Sequence, residues 1–286
     1  MTAHTSPFPK HPPPSNASQT LRLDGCAVCC RLTEPALQAK YAPGLPVLFL
    51  HGLGCSGNAW QPVLDTLAAD GCAQTVAVPD LPGYGHSGCK GGVLGIDALA
   101  DWAARLLDTL GLARVHVAGQ SMGCQVALAL ARRHPARVGG LVLLGPTTGR
   151  RLVPLVRYAG GLLCDGFCEP LRYNLTLLRM YGEMGLVRYA ATIRRMMQDD
   201  PIAHAAEVAA PCLVLLGARD QVVPLRAARA LAEALPQARL TQIPRAPHAA
   251  QFSRPAEFLA LALPFWQEAG EPTNLLRQSP RTGIPS

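Results

Sequence analysis

The chain has 286 residues, 49% of them apolar and 16% charged, with a net charge of +7. This composition excludes a chain that is disordered throughout and supplies one large core, so a single domain with an insertion is expected. The basic residues are dispersed and aromatics make up only 5%, which argues against nucleic-acid binding, where clustered Lys and Arg alternate with aromatics.

Residues 1–18 are rich in Pro, Ser and Thr and read as a disordered tail. They contain no apolar segment of the signal-peptide kind, and no apolar run in the chain is long enough to span a bilayer. The chain is therefore expected in the cytoplasm, with its ten cysteines reduced. Cys26, Cys29 and Cys30 look like half a zinc site, but no second pair at suitable spacing completes the four ligands. They read as strand residues, and no metal is expected.

Leu21 to Leu32 predicts two strands around an Asp24-Gly25 turn. Val47 to Leu50 is a short apolar run of the buried-strand kind, followed by a helix from Trp60 to Ala69 and a strand from Thr75 to Val78. Ile96 to Leu110 has helical spacing. Val115 to Ala118 is a strand, Met122 to His134 a helix and Val138 to Leu144 a strand. After a break come a strand (Cys212 to Leu216), a helix (Leu225 to Leu235), a strand (Arg239 to Ile243) and a last helix (Pro255 to Glu268), which Pro264 is expected to bend or shorten. The residues from 270 to 286 read as a second tail. Strands alternating with helices predict an α/β fold with a mostly parallel central sheet covered by helices on both faces. The domain spans 19–269. The break, about residues 146–211, carries helical patches at Leu171 to Met180 and Leu186 to Met197 and reads as a short helical lid.

Gly119-Gln120-Ser121-Met122-Gly123 fits G-x-S-x-G. Alone the pattern carries little weight, but it follows an apolar strand and opens a helix, the strand–turn–helix context that aims a serine out of the sheet. A serine hydroxyl needs a base. His248 lies after the last strand and before the last helix, at the carboxyl edge of a parallel sheet where Ser121 also sits. His4 and His11 fall in the tail, His116 in a strand, His134 at a helix end and His204 in the lid. Asp220 follows the strand Cys212–Leu216, between serine and histidine in chain order. It is expected near the surface edge of the sheet, with Asp199 and Asp200 as the other candidates. Two backbone N–H groups are expected to hold the oxyanion, those of Met122 and Leu53, the latter in the loop His51-Gly52-Leu53-Gly54. His51 reads as structural.

With His51-Gly52-Leu53-Gly54, Asp80-Leu81-Pro82-Gly83-Tyr84-Gly85-His86-Ser87, the serine motif, Gly217-Ala218-Arg219-Asp220 and His248, the chain resembles the α/β-hydrolase superfamily over roughly residues 20 to 269. Pro247 stands where that family usually has glycine. The family members that cleave epoxides or carbon–halogen bonds use an aspartate nucleophile, and Ser121 argues against both. The resemblance implies an acyl-enzyme mechanism without metal or organic cofactor. The expected substrate is a small to medium ester with an apolar acyl part. Carbon–carbon hydrolysis of ring-cleavage products and a non-catalytic ligand-binding receptor are the alternatives, and lactonases and perhydrolases share the same triad.

The lid is expected to set selectivity without affecting Ser121 chemistry. Between Arg150 and Arg195 it has eight arginines and three acids. These read as a solvated face first, then as a pocket mouth that attracts anionic substrates, then as a contact for anionic lipid at a surface. No feature sets an oligomeric state.

Overall fold

The computed structural model describes residues 18–33, 44–71, 75–89, 92–149 and 153–270. Its sheet has eight strands: β1 (Ser18–Leu23), β2 (Cys26–Thr33), β3 (Val47–Leu50), β4 (Val76–Pro79), β5 (Val115–Gln120), β6 (Val138–Leu144), β7 (Cys212–Gly217) and β8 (Ala238–Ile243). Their order is β1-β2-β4-β3-β5-β6-β7-β8. β1 and β2 form the expected hairpin, and β2 joins β4 antiparallel. Every pairing from β4 to β8 is parallel. β3 to β7 are apolar runs buried along their whole length, as strands covered on both faces must be. Cys26, Cys29 and Cys30 sit on β2.

The chain leaves β3 for β4 on one side, then returns to β5 on the other. Such a reversal opens a crevice at the carboxyl ends of the two strands. Helices cover both faces. α1 (Gln61–Ala69) and α10 (Pro255–Gly270) pack on one side with Phe49, Trp60, Phe258 and Trp266 at their centre. The rings of Phe49 and Trp60 lie 4.7 Å apart. α2 (Ile96–Thr109), α3 (Met122–Arg133) and α8 (Leu225–Ala234) share the other core. α3 is buried from Met122 through Ala131, so its register on the sheet is fixed by packing all round.

Three helices, α4 (Leu155–Gly166), α5 (Leu171–Met184) and α6 (Leu186–Gln198), followed by the short α7 (Pro201–His204), join β6 to β7. α5 and α6 match the expected patches, whereas α4 does not figure among them. α10 contains Pro264 and runs on to Gly270, two residues past the expected end, and the short α9 (Ala250–Ser253) precedes it. β1 begins at Ser18 and α10 ends at Gly270. The tails proper, 1–17 and 271–286, lie outside the described residues. Among those described, no helix is long and apolar enough to cross a membrane.

Candidate active site

Ser121 stands between β5 and α3 with φ 54° and ψ −118°. A side chain other than glycine in this region of backbone space costs on the order of 1–3 kcal/mol, and such residues cluster at functional sites. The turn is possible because its neighbours lack side chains. A Cβ on Gly123 would lie 2.3 Å from the Leu50 carbonyl oxygen, and one on Gly119 would lie 2.5 Å from that of Gly123. The Ser121 amide donates to the Leu144 carbonyl at 2.9 Å, which ties the turn to β6. Met122 is the first residue of α3. Its N–H belongs to the opening turn, whose amides have no acceptor within the helix and carry the positive end of the dipole.

His248 lies in the loop between β8 and α9. Its Nδ1 is 2.8 Å from Asp220 Oδ2, and the two side chains are 6% and 0% exposed. Asp220 is thus buried, not at the surface edge as expected from sequence. Its other oxygen, Oδ1, accepts the amides of Val222 and Val223, both at 2.8 Å. One carboxylate therefore shapes the turn ahead of α8 and holds the histidine. Behind the pair, Gly145 at the end of β6 has φ 55°, and a Cβ there would lie 2.8 Å from the His248 ring. Ser121, His248 and Leu53 all line one cleft, roofed by Leu155 and Leu162 of α4, Leu177 of α5 and Ile193 of α6.

The other candidates fall elsewhere. Asp199 accepts from Gln125 at 2.9 Å, and Asp200 caps α7. His51 is buried, and its Nε2 accepts the Leu81 amide at 3.0 Å. His116 stacks on Trp266, and burial lowers its imidazole to about 4. His134 faces Asp101, and His204 faces Glu207. The Asp80–Ser87 segment is held by its own aspartate, which accepts the amides of Gly57 and His86.

Two acids of the cap enter the site without notice in the sequence. Asp165 of α4 accepts the backbone amide of His248 at 3.1 Å and that of Gln221 at 3.4 Å. Glu169, just past α4, accepts the amide of Ala249 at 2.7 Å, and its second oxygen has no partner. Both carboxyls line the cleft. Burial of the His248 imidazole opposes its charge, but the carboxylates of Asp220, Asp165 and Glu169 outweigh this and raise it to about 9. Burial raises Asp165. Burial also raises Glu169 to about 8, with the Asp165 charge adding to it and the Ala249 hydrogen bond opposing it.

A consequence for stability follows. Folded Glu169 keeps a proton that the unfolded chain has released above its ordinary value of 4.5. Its contribution is present at low pH and is lost as pH rises toward about 8. His248, raised in the same direction, loses its contribution as pH rises through about 9. The melting temperature is expected to fall between pH 6 and 9, and Glu169→Gln, which mimics the protonated acid, is expected to flatten that fall. Thermal unfolding of both proteins across this range is the measurement, and an unchanged slope in the variant would contradict the assignment.

The described arginines of the cap stand away from the lining of the cleft. Among the described residues, no arginine or lysine lines the cleft. Arg157, Arg172, Arg179, Arg194 and Arg195 are exposed, and Arg188 is half-buried over Gly83.

The alpha/beta hydrolase fold family matches over residues 46–161. The chain is 30% identical to a 2-hydroxymuconate semialdehyde hydrolase of Pseudomonas sp. (strain CF600), over 79% of this chain and 88% of that protein. It is 31% identical to 2-hydroxy-6-oxononadienedioate/2-hydroxy-6-oxononatrienedioate hydrolase 1 of Dechloromonas aromatica (strain RCB), over 88% of this chain and 99% of that protein. Among solved structures, a thermophilic esterase from Thermogutta terrifontis shares the fold with a TM-score of 0.71 and 24% identity, over 88% of this chain and 98% of that one. A meta-cleavage product hydrolase from Pseudomonas fluorescens does so with a TM-score of 0.69 and 22% identity, over 86% of this chain and 96% of that one.

Proposed function

Because this chain belongs to the alpha/beta hydrolase fold family, we propose that it is a serine hydrolase in which Ser121 attacks a ketone carbonyl and a neighbouring carbon–carbon bond is cleaved. The observation that carries the mechanism is the buried Asp220–His248 pair at 2.8 Å in the cleft that Ser121 lines. In the neutral form of His248, which is populated as pH rises toward about 9, Asp220 at Nδ1 fixes the tautomer that leaves Nε2 free to take the Ser121 proton, and its charge stabilises the imidazolium that results. The N–H groups of Met122 and Leu53 hold the oxyanion. The carbon–carbon bond breaks with its electron pair passing to the leaving fragment, which takes a proton from His248. Water, activated by the same histidine, then frees the acyl group from Ser121.

The choice of bond rests on the relatives, which are hydrolases of 2-hydroxymuconate semialdehyde and of 2-hydroxy-6-oxononadienedioate and which match over 88% and 99% of their length. This reverses the order of the two readings set out from the sequence. A carbon leaving group needs a conjugated electron sink, which an ester does not. The ester reading keeps one observation in its favour: Asp165 and Glu169 line the cleft with no basic residue besides His248, an environment that disfavours a substrate carboxylate. Assaying purified protein on 2-hydroxy-6-oxo-dienoates and on p-nitrophenyl esters separates the two. The carbon–carbon reading expects kcat/KM for a dienoate to exceed that for p-nitrophenyl acetate by at least ~10-fold, a difference of about 1.4 kcal/mol in transition-state binding. The reverse order would assign the chain to ester hydrolysis.

A further inference from the structure

Among the described residues, every large apolar side chain that is exposed lies between Leu155 and Val187, on the three cap helices and their connections. Phe167 is 93% exposed, and Leu186 and Val187 are each 87% exposed. They are ordered along the helices. On α5, Leu171, Leu175 and Leu178 form one stripe at helical spacing, while Tyr173 and Met180 turn inward. On α4, Val156, Leu163 and Phe167 lie away from the buried Tyr158, Gly161 and Asp165. Soluble surfaces carry single apolar residues at random, and exposed apolar residues concentrated on one segment in this way mark a contact.

The charge on the same helices has one sign. Of the charged side chains described there, the two carboxylates, Asp165 and Glu169, are buried, and those that reach solvent are all arginine. Apolar side chains interleaved with arginine suit an anionic lipid surface, where the apolar groups enter the acyl boundary and the guanidinium groups stay among the phosphates. A second copy of the chain is a poorer occupant, because a two-fold contact would set this cationic face against itself.

We propose that the cap docks on anionic membrane surfaces. Leu155, Leu162 and Ile193 of the same helices line the cleft, so docking sets the cleft entrance at the interface.

The test uses full-length protein sedimented with large unilamellar vesicles of phosphatidylglycerol or of phosphatidylcholine. Binding to phosphatidylglycerol is expected to exceed binding to phosphatidylcholine by at least ~10-fold and to weaken with salt, since each arginine near an anionic surface contributes severalfold. The variant Phe167→Ser/Leu178→Ser/Leu186→Ser is expected to lose at least ~10-fold in partition and to keep its rate of labelling by a fluorophosphonate in solution. Arg194→Glu/Arg195→Glu is expected to lose the preference for phosphatidylglycerol. Failure of the parent protein to sediment with phosphatidylglycerol overturns the proposal, as does undiminished binding by either variant. A parent dimer in solution that the triple substitution converts to a monomer overturns it as well, since a second copy would then cover the face.

Discussion

Ser121→Ala is expected to lower turnover by about 10⁶-fold, the loss seen when a serine protease is deprived of its nucleophile. The remaining rate comes from the cleft and the oxyanion donors alone. A fluorophosphonate is expected to label the parent protein only at Ser121 and the variant nowhere, because only an activated hydroxyl attacks phosphorus quickly. Peptide mapping of the adduct and the residual rate decide the matter together, and a rate within about 100-fold of the parent's would remove Ser121 from the chemistry. Alanine keeps the Cβ that makes φ 54° unfavourable, whereas glycine does not. Ser121→Gly is accordingly expected to melt above Ser121→Ala, by the temperature equivalent of about 1 kcal/mol.

Asp220→Asn is expected to cost between about 10² and 10⁴ in turnover. Asn can still accept the amides of Val222 and Val223 with its carbonyl oxygen, the role Oδ1 now has. It then presents an N–H to His248 Nδ1 where Oδ2 now sits at 2.8 Å. The imidazole must turn its lone pair to that N–H and carry its proton on Nε2, the atom that should receive the Ser121 proton. The charge that stabilises the imidazolium is lost too. Because the carboxylate is fully buried, a stability cost of about 1–2 kcal/mol is expected beside the kinetic one. Rates and unfolding should be measured on the same preparation, and turnover close to the parent's would mean that another carboxyl, Asp165 first, orients the imidazole.

Much of this was open to a reading of the sequence, for physical reasons that differ between parts. β3, β5, β6 and β7 are apolar runs because both their faces are covered, and nothing but a buried strand fits that length and pattern. Ser121, Asp220 and His248 each follow a strand of a parallel sheet, so the topology gathers them at one edge whatever the details of the loops. The structure pairs Asp220 with His248 and sets His248 and Ser121 along one cleft. α4 escaped notice because Gly160-Gly161 interrupts its helical pattern, and it is anchored by tertiary contacts: Tyr158 accepts the Thr148 amide and Asp165 accepts those of Gln221 and His248. Pro264 did not shorten the last helix, which runs past the expected Glu268 to Gly270, since packing of Phe258, Phe265 and Trp266 on the sheet outweighs one missing amide. Asp165 and Glu169 left no mark at all. Their partners are backbone amides 83 and 80 residues away, and backbone groups have no sequence signature.

Those two long-range hydrogen bonds tie the cap to the loop of His248, and a cap chimera that keeps both acids is expected to retain Ser121 chemistry better than one that loses them. They also bear on the order in which the molecule becomes competent. The loop of His248 is expected to be fixed only when the segment carrying Asp165 and Glu169 has settled on it. Recovered turnover is therefore expected to report the seating of the cap on that loop, and not the formation of the core beneath it.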